Sequence, residues 1–93
     1  MQSIQEFLES IGFVPIDENY FQFNEYYVVL TYSSLKIYRN KINRTCKLFT
    51  FAKCKDEILW KEYLYDLVTT TEAIAFNNLK INIDRYIEVL EVV

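Results

Sequence analysis

Histidine is absent from the 93 residues, and glycine and proline occur once each. Without histidine the chain lacks the commonest general base and the commonest metal ligand. Gly12 alone cannot build a glycine-rich phosphate loop. With Pro15 as the single proline, collagen-like, linker and low-complexity classes are excluded as well. The two cysteines, Cys46 and Cys54, are eight apart, which matches neither a CxxC redox motif nor a zinc half-site. Two buried, reduced thiols are expected, and with them a cytoplasmic localisation. No apolar run approaches the roughly 20 residues of a membrane span. The first ten residues hold no Lys or Arg and do not resemble a secretory signal.

Charge is missing selectively. Residues 1–25 carry Glu6, Glu9, Asp17, Glu18 and Glu25 and no base. Residues 26–55 carry Lys36, Arg39, Lys41, Arg44, Lys47, Lys53 and Lys55 and no acid. Residues 56–93 are acidic again, so a net charge of -3 conceals a basic middle between two acidic flanks. That middle either neutralises its own flanks or presents a basic surface to an anionic partner.

What is abundant is apolar and aromatic: 52% hydrophobic and 17% aromatic residues are enough for one folded globular domain over 1–93. Ser3 and Glu6 form a capping-box pair, and Ile4, Phe7, Leu8 and Ile11 repeat at helical spacing, predicting a helix over 3–11. Gly12 then suits a left-handed C-terminal cap, and Pro15 blocks continuation. The polar run Asp17, Glu18, Asn19 reads as a turn into the strand region.

Four strands are expected over 20–23, 26–32, 35–39 and 44–52, forming an antiparallel meander. Turns at Asn24–Glu25, Ser33–Ser34 and Lys41–Ile42 agree on one core face: Phe21, Phe23, Tyr26, Val28, Leu30, Tyr32, Leu35, Ile37, Cys46 and Leu48. The opposite face then collects Tyr20, Gln22, Tyr27, Val29, Thr31, Lys36, Tyr38, Thr45, Lys47, Phe49 and Phe51. Five aromatics on that face exceed what a wet sheet face normally carries.

Asp56 is a candidate N-cap for a second helix over 56–68, with Leu59, Trp60, Tyr63, Leu64 and Leu67 along one side. The single tryptophan, Trp60, reads as core. Residues 70–82 fit either a short helix opened by Thr69 and Glu72 or a hairpin around Asn77–Asn78. Ile83, Tyr86, Ile87 and Leu90 predict a last helix over 83–91 capped by Asn82. The fold class is therefore α+β: an N-terminal helix, a four-stranded antiparallel meander, then one or two C-terminal helices packed on the sheet.

No catalytic, cofactor-binding or metal-ligating residue is expected. Asp17 with Glu18, and Asp56 with Glu57, are adjacent carboxylates whose side chains diverge, whereas an acid–base dyad must converge across a cleft. The function expected is a non-enzymatic protein-binding module: an inhibitor, an adaptor or a phage-type accessory protein. Its candidate partner-binding residues are Tyr20, Tyr27, Lys36, Tyr38, Lys47, Phe49 and Phe51.

The first alternative is a single-stranded nucleic-acid platform on the same face, with Lys36, Arg39, Lys41, Arg44, Lys47 and Lys53 on the phosphates. The second is acidic mimicry of nucleic acid through Glu62, Asp66, Glu88 and Glu91. A homodimer through the outer face is compatible with each, and no membrane partner is expected.

Overall fold

The fold is described from a computed structural model giving the backbone of residues 2–92 and the side chains of residues 2–85. Two compact units follow one another, Met1–Asp56 and Glu57–Val93. The first holds a helix and a sheet, the second two helices.

Helix α1, Ile4–Ser10, is closed at both ends by local sequence. The Glu6 amide donates to Ser3 Oγ at 3.0 Å and the Ser3 amide to Glu6 Oε1 at 3.4 Å, completing the expected capping box. At the other end the Phe13 amide donates to the Leu8 carbonyl (2.9 Å) and the Gly12 amide to that of Glu9 (3.2 Å). These two bonds make a Schellman motif, with buried Leu8 and Phe13 as its apolar clasp. Gly12 has φ +112°, where a Cβ would be strained, and that Cβ would also meet the Phe23 ring at 3.2 Å.

The sheet has five antiparallel strands in sequence order, one more than expected: β1 Val14–Asp17, β2 Tyr20–Phe23, β3 Tyr26–Leu30, β4 Ser34–Lys41 and β5 Arg44–Ala52. The added strand is β1, whose proline and acids read as a helix stop and a turn. Pro15 is tolerated because β1 is an edge strand, and the register against β2 shifts between Pro15 and Asp17.

The β2–β3 hairpin turns at Asn24–Glu25 as expected, with Phe23 opposite Tyr26. Asn24 (φ 51°) and, in the β4–β5 turn, Asn43 (φ 64°) take the left-handed conformation that asparagine tolerates. The second turn is wider than expected. Leu30 pairs with Leu35, which leaves Thr31–Ser33 as the loop and puts Tyr32 at its exposed tip instead of on the core face. The loop is stitched by its own hydroxyls: the Ser34 amide donates to Thr31 Oγ1 at 2.9 Å, and Lys53 Nζ donates to the Thr31 carbonyl at 2.8 Å.

The third hairpin departs most. It turns at Ile42–Asn43, so Arg39 faces Cys46 and Tyr38 faces Lys47, but beyond this the register slips and Ile37 faces Phe49. Leu48 is the extra residue of a β-bulge. A slip of one residue inverts the faces of everything after it. Phe49 and Phe51 therefore lie on the inner face, opposite Ile37 and Leu35, and not on the outer face where the regular register put them. Their rings stack at 5.7 Å, as residues two apart on one face can. The inner face buries Phe21, Tyr26, Val28, Leu35, Ile37 and Phe51. Phe23 meets Phe13 at 5.8 Å.

In the second unit, α2 spans Glu57–Thr69, close to the expected helix, and buries Trp60, Tyr63, Leu64 and Leu67 along one side. The Asp56 carboxylate does not serve as the expected cap; it folds back to accept from the Ala52 amide at 2.9 Å. At the C-terminal end the Thr69 and Thr70 hydroxyls donate back to the carbonyls of Tyr65 and Asp66, the latter also accepting from the Thr70 amide at 2.8 Å.

Helix α3 then runs unbroken over Glu72–Val92, which corrects the expected start at 83 and the hairpin reading of 70–82. Its first turn is held by Thr71, whose Oγ1 accepts from the Ile74 amide at 3.2 Å. Asn82, expected as a cap, donates instead to Glu62 Oε2 at 2.7 Å, and Asn78 donates to Asp66 Oδ2 at 3.2 Å. The two bonds join steps four residues apart on each helix in opposite directions, so α2 and α3 are an antiparallel helical pair. Ala75 and Leu79 are buried on α3. The apolar positions expected at Tyr86, Ile87 and Leu90 lie outside the described side chains. Among the described residues, no helix is long and apolar enough to cross a membrane.

Candidate functional site

Strand pairing sorts the outer face of the sheet into cross-strand rows. One row runs Tyr20, Val29, Lys36, Thr50 from β2 to β5, and the next runs Gln22, Tyr27, Tyr38, Lys47. A third, short row is Asn40 with Thr45. Side chains on one face of neighbouring strands stand about 5 Å apart, so each row brings its members into reach of one another. Tyr20, Tyr27, Val29, Lys36, Tyr38, Asn40 and Thr45 together line an open groove of about 550 Å³. That volume lies within the roughly 300–1,000 Å³ typical of ligand pockets.

Of the seven residues singled out from sequence, Tyr20, Tyr27, Lys36 and Tyr38 line this groove, and Lys47 stands beside Tyr38 on the same face. Phe49 and Phe51 do not join them, being turned inward by the Leu48 bulge; Phe51 is only 5% exposed. The aromatic content of the outer face is thus three tyrosines in place of five mixed rings. Tyr27 and Tyr38 are half-buried and Tyr20 is exposed. Asn40 is a groove residue that sequence reasoning passed over, because it fell beyond the expected end of its strand at residue 39.

The polar groups of the groove are partly arranged already. Thr45 Oγ1 donates to Asn40 Oδ1 at 2.7 Å, which fixes the amide so that its Nδ2 points toward Tyr27 OH, at 3.5 Å. Lys36 is half-buried between the neutral side chains of Val29 and Thr50 in its row. Among the described residues no carboxylate is found paired with it, whereas Lys61 pairs with Glu57 on α2 at 2.7 Å.

The remaining cations are dispersed. Arg39, Lys41 and Arg44 fall on the inner-face positions of β4 and β5, and Lys53 is engaged with the Thr31 carbonyl. Cys46 is half-buried and Cys54 is exposed, so the expectation of two buried thiols holds for neither in full; both are free. No group of His, Cys, Asp or Glu among the described residues is arranged to hold a metal ion. No protein family matches the chain, and neither a curated protein nor a solved structure is found similar to it.

Proposed function

We propose that the chain is a small non-enzymatic protein-binding module whose contact surface is the outer face of the sheet, acting as an inhibitor, adaptor or accessory protein. The observation that carries this reading is the groove itself: three tyrosines and Lys36 around an open depression, with no carboxylate among its lining residues. Tyrosine supplies large, stiff, amphipathic contact area, and it is enriched where binding energy concentrates in protein interfaces.

The same geometry weighs against a nucleic-acid platform. Of the six cations that would neutralise phosphates, only Lys36 and Lys47 stand on the tyrosine face. Two phosphate contacts give a shallow salt dependence and little affinity. Acidic mimicry fares no better, because Glu62 and Asp66 accept from Asn82 and Asn78 within the helical pair, and Glu88 and Glu91 lie outside the described side chains.

The test is affinity capture from extracts of the native host with the wild-type chain and with a Tyr27→Ser/Tyr38→Ser variant of unchanged circular dichroism. A protein retained by the first and lost by the second supports the module. Equal capture by both, or retention of nucleic acid alone, contradicts it.

A further inference from the structure

The groove carries one formal charge, that of Lys36, among neutral side chains. Asn40 Oδ1 accepts from the Thr45 hydroxyl. The Asn40 amide nitrogen makes a 3.5 Å contact with Tyr27 OH, and Tyr20, Tyr27, Tyr38 and Lys36 share the lining. Lys36 is half-buried, flanked by Val29 and Thr50, and has no carboxylate partner among the described residues. A lysine whose stem is partly covered and whose charge has no counter-charge beside it favours a ligand that brings one. Around it, Val29 and the faces of Tyr20, Tyr27 and Tyr38 offer apolar and aromatic surface.

We propose that the groove recognises a carboxylate next to an apolar side chain, presented by a partner protein as an Asp or Glu beside an aromatic or aliphatic residue. The carboxylate meets Lys36, and the apolar group lies against Tyr27, Tyr38 and Val29. Charge complementarity selects this occupant: the basic groove rejects a Lys- or Arg-bearing segment and takes its neutral isostere poorly. This inference rests on the protein-binding reading and specifies the chemistry of its partner.

The smallest probe carrying both features is 3-phenylpropionate, compared with 3-phenylpropanamide, 3-phenylpropylamine and thymidine 5′-monophosphate. Each is titrated into the full-length, isotope-labelled chain while backbone amide shifts are followed by NMR. The carboxylate is expected to bind with a dissociation constant on the order of millimolar, as fragments of this size do. Its shifts should centre on Val29, Lys36, Tyr38, Asn40 and Thr45. The amide should bind about tenfold more weakly, the loss of one charge-assisted hydrogen bond, and the amine not at all. Lys36→Met should erase the preference for carboxylate over amide, and Lys36→Arg should keep most of it.

Equal binding of acid and amide, preference for the amine, tighter binding of the nucleotide, or no localised shift with any probe each overturns the proposal. These comparisons on the wild-type chain decide it even if Lys36→Met does not fold. A partner still captured through Tyr27 and Tyr38 while 3-phenylpropionate fails leaves the binding module standing and removes only the carboxylate chemistry.

Discussion

Deletion of Leu48 separates the bulged β5 from a regular strand more sharply than any substitution. In the structure Leu48 is the unpaired residue between Lys47, opposite Tyr38, and Phe49, opposite Ile37. Removing it leaves Lys47 outward and Phe49 and Phe51 inward as direct alternation, so every other pairing survives. The cost is then the half-buried Leu48 side chain, about 1 kcal/mol from the roughly 1.5–3 kcal/mol of a fully buried leucine, together with the lost local twist. In a regular strand Leu48 would lie on the core face, and Phe49 and Phe51 on the outer face beside Thr45 and Lys47. The same deletion would then remove a core leucine and invert one half of β5, driving either Thr45 and Lys47 or Phe49 and Phe51 across the sheet. That disruption should cost at least as much as truncating a buried aromatic; in the bulged strand, where Phe51 is buried, Phe51→Ala should cost about 3–5 kcal/mol.

Urea unfolding reads both. With a slope of about 1–3 kcal/mol/M, deletion of Leu48 should lower the midpoint by about 1 M or less, and Phe51→Ala by at least twice as much. A deletion as damaging as Phe51→Ala, or a Phe51→Ala variant as stable as wild type, would refute the bulge and return the two phenylalanines to the outer face.

Other consequences are local. Gly12→Ala forces a Cβ into φ +112° and to 3.2 Å from the Phe23 ring, so it should cost about 1–3 kcal/mol and lower Tm by at least ~5 °C. Thr71→Ala removes the Oγ1 that accepts from the Ile74 amide; a loss of about 1 kcal/mol should appear as faster hydrogen exchange at the start of α3. Lys53→Met loses the bond to the Thr31 carbonyl and should cost about 0.5–1.5 kcal/mol in thermal unfolding without changing any binding made by the outer face.

Local signals were legible where one residue type answers one geometric need. Ser3, Glu6 and Gly12 delimit α1 because a capping box and a positive-φ cap each require those side chains. The Asn24 turn and the facing of β2 to β4 were legible too, since displacing a turn by two residues moves partners without exchanging faces. The bulge was not. Thr45 to Phe51 alternates as well with one inserted residue as without, and the choice is made by packing of Phe49 and Phe51 opposite Ile37 and Leu35. Strand β1 was hidden by Pro15, which serves an edge strand as well as a helix stop. Residues Leu79 to Ile83 alternate like a strand yet continue α3, because Thr71 starts a helix that nothing between Glu72 and Asn82 interrupts. Of the candidate site, the tyrosines and Lys36 followed from parity, whereas Phe49 and Phe51 depended on the one register step that parity cannot supply.

The binding face is tested most directly by site-specific photo-crosslinking in the native host, with p-benzoylphenylalanine replacing Tyr38 in the groove or Tyr32 at the exposed loop tip. A single protein adduct of constant mass from position 38, absent from position 32, is the predicted result. Adducts of equal yield from both positions, no protein adduct from position 38, or adducts to nucleic acid alone would contradict a protein-binding function for the outer sheet face.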